Sequence, residues 1–113
     1  MNELTLAVTD FLKLIDDPLR FEIIKLLKNR KMNAKEIEDA LEISQSYTSQ
    51  QLNLLLKGNL IDFKRDEEKI KHYFIKDKNI FNVFNTIQSF VLERQKLRYE
   101  QLFDANKLDM LRF

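Results

Sequence analysis

A chain of 113 residues, 44% hydrophobic and 33% charged, is long enough for one globular domain with a modest core and too apolar to stay disordered. The absence of cysteine excludes disulfides and every thiolate-bound metal, and a single histidine, His72, leaves little material for an imidazole site. A formal net charge of +1 is weaker than nucleic-acid binders usually carry, so any basic face must be local. No run reaches membrane-spanning length and no signal-peptide pattern opens the chain, so a soluble, cytoplasmic protein is expected.

Residues 4–15 carry Leu4, Val8, Phe11, Leu12 and Ile15 on one helical stripe. Asp17-Pro18 then marks a new start, with Asp17 as N-cap and Pro18 at the first helical position. The helix predicted for Pro18–Lys28 is apolar on most sides through Leu19, Phe21, Ile23, Ile24, Leu26 and Leu27, which makes it the expected central helix. Asn29-Arg30-Lys31 closes it with positive charge at the C-terminal end of the dipole.

Two short helical patterns follow and meet at a tight corner. The first, Ala34 to Leu41, puts Ile37, Ala40 and Leu41 on one face, with Asn33 and Glu36 spaced as a capping box. The second starts after Ser44, a good N-cap, and turns Leu52, Leu55 and Leu56 inward. Only Glu42 and Ile43 separate them, so the helices must cross steeply, as in a helix-turn-helix whose second helix can lie in a DNA major groove. Gln45, Ser46, Tyr47, Thr48, Ser49, Gln50 and Asn53 are the candidate DNA-facing side chains of that helix. Glutamine suits adenine and arginine suits guanine, so A·T-biased contacts are expected.

Gly58-Asn59 stops the second helix, both residues tolerating the left-handed conformation of a C-cap. Leu60–Arg65 and Ile70–Ile75 are β-prone runs around the turn Asp66–Lys69, which together make a hairpin. Lys64, Arg65, Lys69 and Lys71 flank the turn and are candidate phosphate contacts, whereas the acidic tip 66–68 repels phosphate. His72 reads as an ordinary strand residue. From about Asn79 a long helix carries Ile80, Phe81, Val83, Phe84, Ile87, Phe90, Val91, Leu97 and Leu102 on more than one face, more than a single small chain can cover, hence a homodimer. The tail 106–113 keeps Leu108, Met110, Leu111 and Phe113 and is expected to dock as a short helix. No nucleophile–base pair and no phosphate-cradling glycine loop is present, so an enzyme is not expected.

Specific residues now resemble a known family. Asp17-Pro18-Leu19-Arg20 is similar to the D-P-x-R start of the central helix in ArsR/SmtB-family transcriptional regulators. Glu36 to Leu41 followed by Ile43-Ser44-Gln45-Ser46 resembles that family's E-L-x-x-x-L-x-x-S-Q-S, and Leu52, Leu55 and Leu60-Ile61 fit its H-L-x-x-L…G-L-V. His72-Tyr73 falls on the paired tyrosines of its second wing strand. The resemblance implies a mainly α fold with a small β-hairpin: a winged helix-turn-helix dimerising through its N- and C-terminal helices. It implies one domain over 1–113, with a dimer helix at 1–15, a winged helix-turn-helix core at 17–76, and a C-terminal dimerisation helix and tail at 79–113. The expected dimer contacts are Leu4, Val8, Phe11, Phe81, Phe84, Ile87 and Val91. The expected partner is double-stranded DNA carrying an inverted-repeat operator, and the expected role is repression.

The chain also departs from the family. Asn33 and Lys35 stand where its soft-metal sensors carry cysteines, and residues 80–105 contain no histidine, so no metal or other cofactor is expected. Gln50 and Gln51 replace a basic residue and a histidine. Glu42 replaces the turn glycine, where a left-handed backbone costs a non-glycine residue about 1–2 kcal/mol, so a reshaped turn is expected. Near-neutral charge, a second helix whose only formal charge is Lys57, and an acidic wing leave a second reading open, a winged-helix module that binds protein. No residue pattern names an effector.

Overall fold

The helix starts are built from side chains that serve orphan backbone N–H groups. Asn2 Oδ1 accepts from Thr5 N–H (2.8 Å), opening α1, Glu3–Ile15. Asp17 Oδ1 accepts from Leu19 and Arg20 N–H ahead of α2, Pro18–Leu26, where proline occupies the first turn. Asn33 and Glu36 close a complete capping box on α3, Ala34–Leu41: Asn33 Oδ1 accepts from Glu36 N–H (2.8 Å) and Glu36 Oε1 from Asn33 N–H (3.0 Å). Ser44 Oγ accepts from Tyr47 N–H (3.2 Å) and starts α4, Gln45–Lys57. This computed structural model describes residues 1–96, so Leu97, Leu102 and the expected tail helix at 106–113 lie outside the described residues.

Two compact units divide the chain, one spanning Met1–Lys76 and one beginning at Asp77. In the first, α2 is central, in contact with α1, α3 and α4. Its Ile23 and Ile24 are fully buried, together with Ile37 of α3, Leu52 and Leu55 of α4, and Ile61. Full burial of such side chains is worth about 1.5–3 kcal/mol each, which is what holds the steep α3–α4 corner. Ala40, expected on the inner face of α3, is exposed, and Ile37 carries that face.

The corner is left-handed despite lacking glycine: Glu42 has φ 55° and ψ 48°. Glutamate therefore adopts the left-handed conformation that it was expected from the sequence to avoid. Gly58, by contrast, has φ −79° and needs no left-handed freedom. A Cβ there would meet Leu14 Cδ2 at 2.1 Å, so α1 packs directly on the end of α4. Asn59 alone is left-handed at this stop (φ 61°).

The hairpin pairs β1, Ile61–Arg65, with β2, Lys71–Ile75, in antiparallel register from Ile61↔Ile75 to Arg65↔Lys71. Tyr73 also exchanges both backbone hydrogen bonds with Met32 (2.8 and 3.1 Å), so the segment before α3 adds a short third rung. In the second unit, α5 spans Ile80–Lys96. Its Phe81 and Phe84 are buried and Ile87 is half-buried, whereas Val83, Phe90 and Val91 are exposed.

Candidate nucleic-acid interface

Helix α4 divides into two faces. Thr48, Gln51, Leu52 and Leu55 are buried, a spacing of i, i+3, i+4 and i+7 that makes one continuous inner stripe. Gln45, Ser46, Tyr47, Ser49, Gln50 and Asn53 are exposed on the outside and free to meet a partner's polar edges. Six of the seven candidate DNA-facing residues on this helix therefore share the solvent face.

Thr48 does not, and the expectation that it faces DNA is corrected. It is fully buried, and its Oγ1 donates to Ser44 O at 2.8 Å, so the hydroxyl is spent inside its own first turn. Gln51 is the polar residue that sequence reasoning missed. It is 6% exposed, and its Oε1 accepts from Arg20 Nη1 at 2.8 Å. The Arg20 of the D-P-x-R run was the available signal, because a half-buried guanidinium needs acceptors.

Phe81 and Phe84 are corrected as dimer contacts for a similar reason: both are already buried within the single chain. Leu4, Val8 and Val91 are exposed, and Phe11 and Ile87 are half-buried, so these five remain available to a second copy. Leu12, about half exposed, extends this apolar face of α1, and Leu6, also about half exposed, lies on the opposite side of the helix.

The hairpin does not gather its four basic residues into one patch. Strand alternation sends Arg65 and its cross-strand partner Lys71 to the face of Phe63 and Tyr73, and Lys64 to the face of His72. Lys71 Nζ lies 4.5 Å and the Arg65 guanidinium carbon 5.6 Å from the Phe63 ring centroid, so the aromatic ring holds two like charges side by side. Phe63 in turn meets Tyr73 with ring centroids 5.9 Å apart. Lys69 sits in the turn itself with φ 68°.

Asp66 organises the acidic tip. Its Oδ1 accepts from Glu68 N–H (2.8 Å) and Ile70 N–H (3.0 Å), and its Oδ2 lies 2.8 Å from His72 Nε2. The hydrogen bond with His72, and then that from Ile70 N–H, hold the Asp66 carboxyl below the ordinary aspartate range. His72 is thus a half-buried strand residue that braces a turn. Of the three tip carboxylates, one is engaged in turn structure, while Glu67 and Glu68 are exposed.

Residues 17–62 match the model of the bacterial regulatory protein, arsR family. They form an arsR-family helix-turn-helix. The matched family is one of regulators and not of enzymes, and the match takes in every element from the α2 cap through α4 to the first residues of the hairpin.

Solved structures share the fold. Rv0081 of Mycobacterium tuberculosis superposes with a TM-score of 0.79 at 22% identity, covering 87% of this chain and 98% of that one. The homodimeric winged helix-turn-helix DNA-binding domain of Mb0332 from Mycobacterium bovis, a possible ArsR-family transcriptional regulator, gives 0.70 at 19%, covering 88% and 94%. The transcriptional repressor BigR of Xylella fastidiosa gives 0.66 at 24%, covering 75% and 86%. No curated protein matches the chain. Among the described residues no cluster of three His, Cys, Asp or Glu side chains is placed to hold a metal ion, and no helix is long and apolar enough to cross a membrane.

Proposed function

We propose that this arsR-family chain is a homodimeric, sequence-specific DNA-binding regulator, a cytoplasmic repressor that senses no metal. The observation that carries the reading is the exposed polar face of α4, set on a helix whose other face is locked into the arsR-family core. In this reading Gln45, Ser46, Ser49, Gln50 and Asn53 meet base edges and phosphates in the major groove, and Tyr47 packs against the backbone. Amide and hydroxyl side chains without arginine favour A·T-rich sites. Arg65 and Lys71, paired over Phe63, are the hairpin's best-placed phosphate contacts, with Lys64 and Lys69 reaching from the other face and the tip.

The exposed apolar residues of α1 and of α5 support a dimer, since an uncovered row of Leu4, Val8 and Leu12 gains by pairing with a second copy. Two recognition helices related by a two-fold axis would stand about 34 Å apart and read an inverted repeat. We carry one domain over 1–113 as part of the same proposal. The lack of cysteine in the whole chain supports a regulator that does not sense soft metals.

The test is fluorescence anisotropy of the purified dimer against duplex from its own upstream region and a scrambled duplex, across a salt series. Selective binding with a steep salt slope is expected. No binding to any duplex at low salt would sink the proposal and favour a protein-binding module. Exposed Tyr47 and Leu54 on α4 and the exposed acids Glu67 and Glu68 are the features that favour that alternative.

A further inference from the structure

One side chain ties the end of α1 to the inner face of the recognition helix. Arg20 Nε donates to Leu14 O, and Nη2 reaches Lys13 O at 3.4 Å. Nη1 donates to Gln51 Oε1 at 2.8 Å, with Asp17 Oδ2 at 4.0 Å. Leu14 and Lys13 lie in the last turn of α1, where the helix dipole attracts a cation; Lys13 O also accepts from Asp16 N–H (3.3 Å). Gln51 lies mid-way along α4, between the exposed Gln50 and the buried Leu52. The Arg20 side chain is 13% exposed, so these bonds are shielded from competing water. The guanidinium is a rigid planar fork, so its acceptors fix one another's positions in a way that a flexible ammonium could not.

We propose that Arg20 and Gln51 are positioning residues that set the orientation of the recognition helix relative to α1, and through it the half-site spacing this protein selects. The consequence for DNA rests on the proposed function above; the consequence for orientation does not. In the proposed dimer the exposed apolar row of α1 pairs the two copies, so its relation to α4 would set the separation of the two recognition helices. A small rotation of α4 about its contact with α2 then moves both reading faces. Leu52 and Leu55 hold α4 against the core by non-directional packing. The Arg20–Gln51 bond supplies the directional constraint.

The experiment uses the full-length chain and two Gln51 variants. Gln51→Met keeps shape and removes the acceptor, whereas Gln51→Glu keeps the acceptor. Arg20→Lys, with one point charge in place of the fork, is the reciprocal change. Residual dipolar couplings of the free protein report the α1–α4 orientation, and binding to inverted repeats of stepped spacer length reports spacing preference. Gln51→Met and Arg20→Lys are expected to rotate α4 and to lower the discrimination between best and next spacer about tenfold, the loss of roughly one charge-assisted hydrogen bond. Gln51→Glu is expected to retain both, and the double variant to be no worse than Arg20→Lys alone. An unchanged α1–α4 orientation in folded Gln51→Met overturns the proposal whatever the DNA result. A rotated α4 with no duplex bound by the wild type supports the positioning role and removes only the DNA reading.

Discussion

Glutamate 42 holds the turn of the helix-turn-helix in a conformation suited to glycine, and replacing it measures the strain. At φ 55° and ψ 48° the Cβ of an L-residue crowds the neighbouring carbonyl, at a cost of about 1–2 kcal/mol. Glycine removes that cost but loses about 0.5–1 kcal/mol through its freer unfolded chain. Glu42→Gly is therefore expected to stabilise the protein by about 0.5–1 kcal/mol. With a urea dependence of about 1.5 kcal/mol/M for a chain this small, the unfolding midpoint should rise by roughly 0.5 M. The assay is equilibrium urea unfolding at fixed protein concentration, since dimerisation adds a concentration dependence. Glu42→Gln controls for the lost charge beside the start of α4. Glu42→Asn, better tolerated in this region, should fall between glutamine and glycine. The Glu42 side chain is exposed, so no packing is lost. A glycine midpoint at or below that of the glutamine variant would refute the strain argument.

Gln50→Ala is expected to weaken binding to a selected duplex about tenfold in anisotropy while sedimentation still shows a dimer, as loss of one base-reading side chain requires; equal affinity for all duplexes before and after would end its base-reading role. Thr48→Val should leave sequence selectivity untouched and cost about 0.5–1.5 kcal/mol in urea unfolding, because the residue is buried and bonded to Ser44 O; a changed selectivity would restore it to the interface. Val8→Glu puts a carboxylate into the proposed dimer seam and should raise the dimer Kd at least about tenfold in sedimentation velocity without unfolding the monomer. The Asp66 carboxyl should titrate below the ordinary aspartate value in side-chain NMR. Its folded pKa is depressed, so its stabilisation of the wing turn is present above the unfolded value and lost as pH falls through the folded one. The Ile70 and Glu68 amides should shift over that acid range, and should cease to do so in Asp66→Asn.

Local chemistry made much of this molecule legible in advance. Asn33 with Glu36, Asp17 with Pro18, and Ser44 before its polar run each satisfy backbone groups a few residues away, and the structure has all three helices start there. The hairpin was equally local, two β-prone runs about a turn that Asp66 closes on itself. In the candidate site, six of the seven α4 residues fell where hydrogen-bonding side chains ordinarily go, onto the solvent face.

Tertiary structure decided the rest, because it depends on what arrives from elsewhere in the chain. Thr48 and Gln51 are polar residues turned inward, which is possible because Ser44 O receives one and Arg20, 31 residues away, serves the other. Phe81 and Phe84 share with Val83, Phe90 and Val91 a helix that is apolar on more than one face, and composition does not distinguish the stripe this chain buries from the stripe it leaves exposed. Gly58 read as a left-handed stop and proved to be a seat for Leu14. Sequence alone settles which backbone groups near a side chain it can satisfy. Distant partners settle which face of an element is inside, since burial of a polar group is tolerated only where its hydrogen bond is supplied.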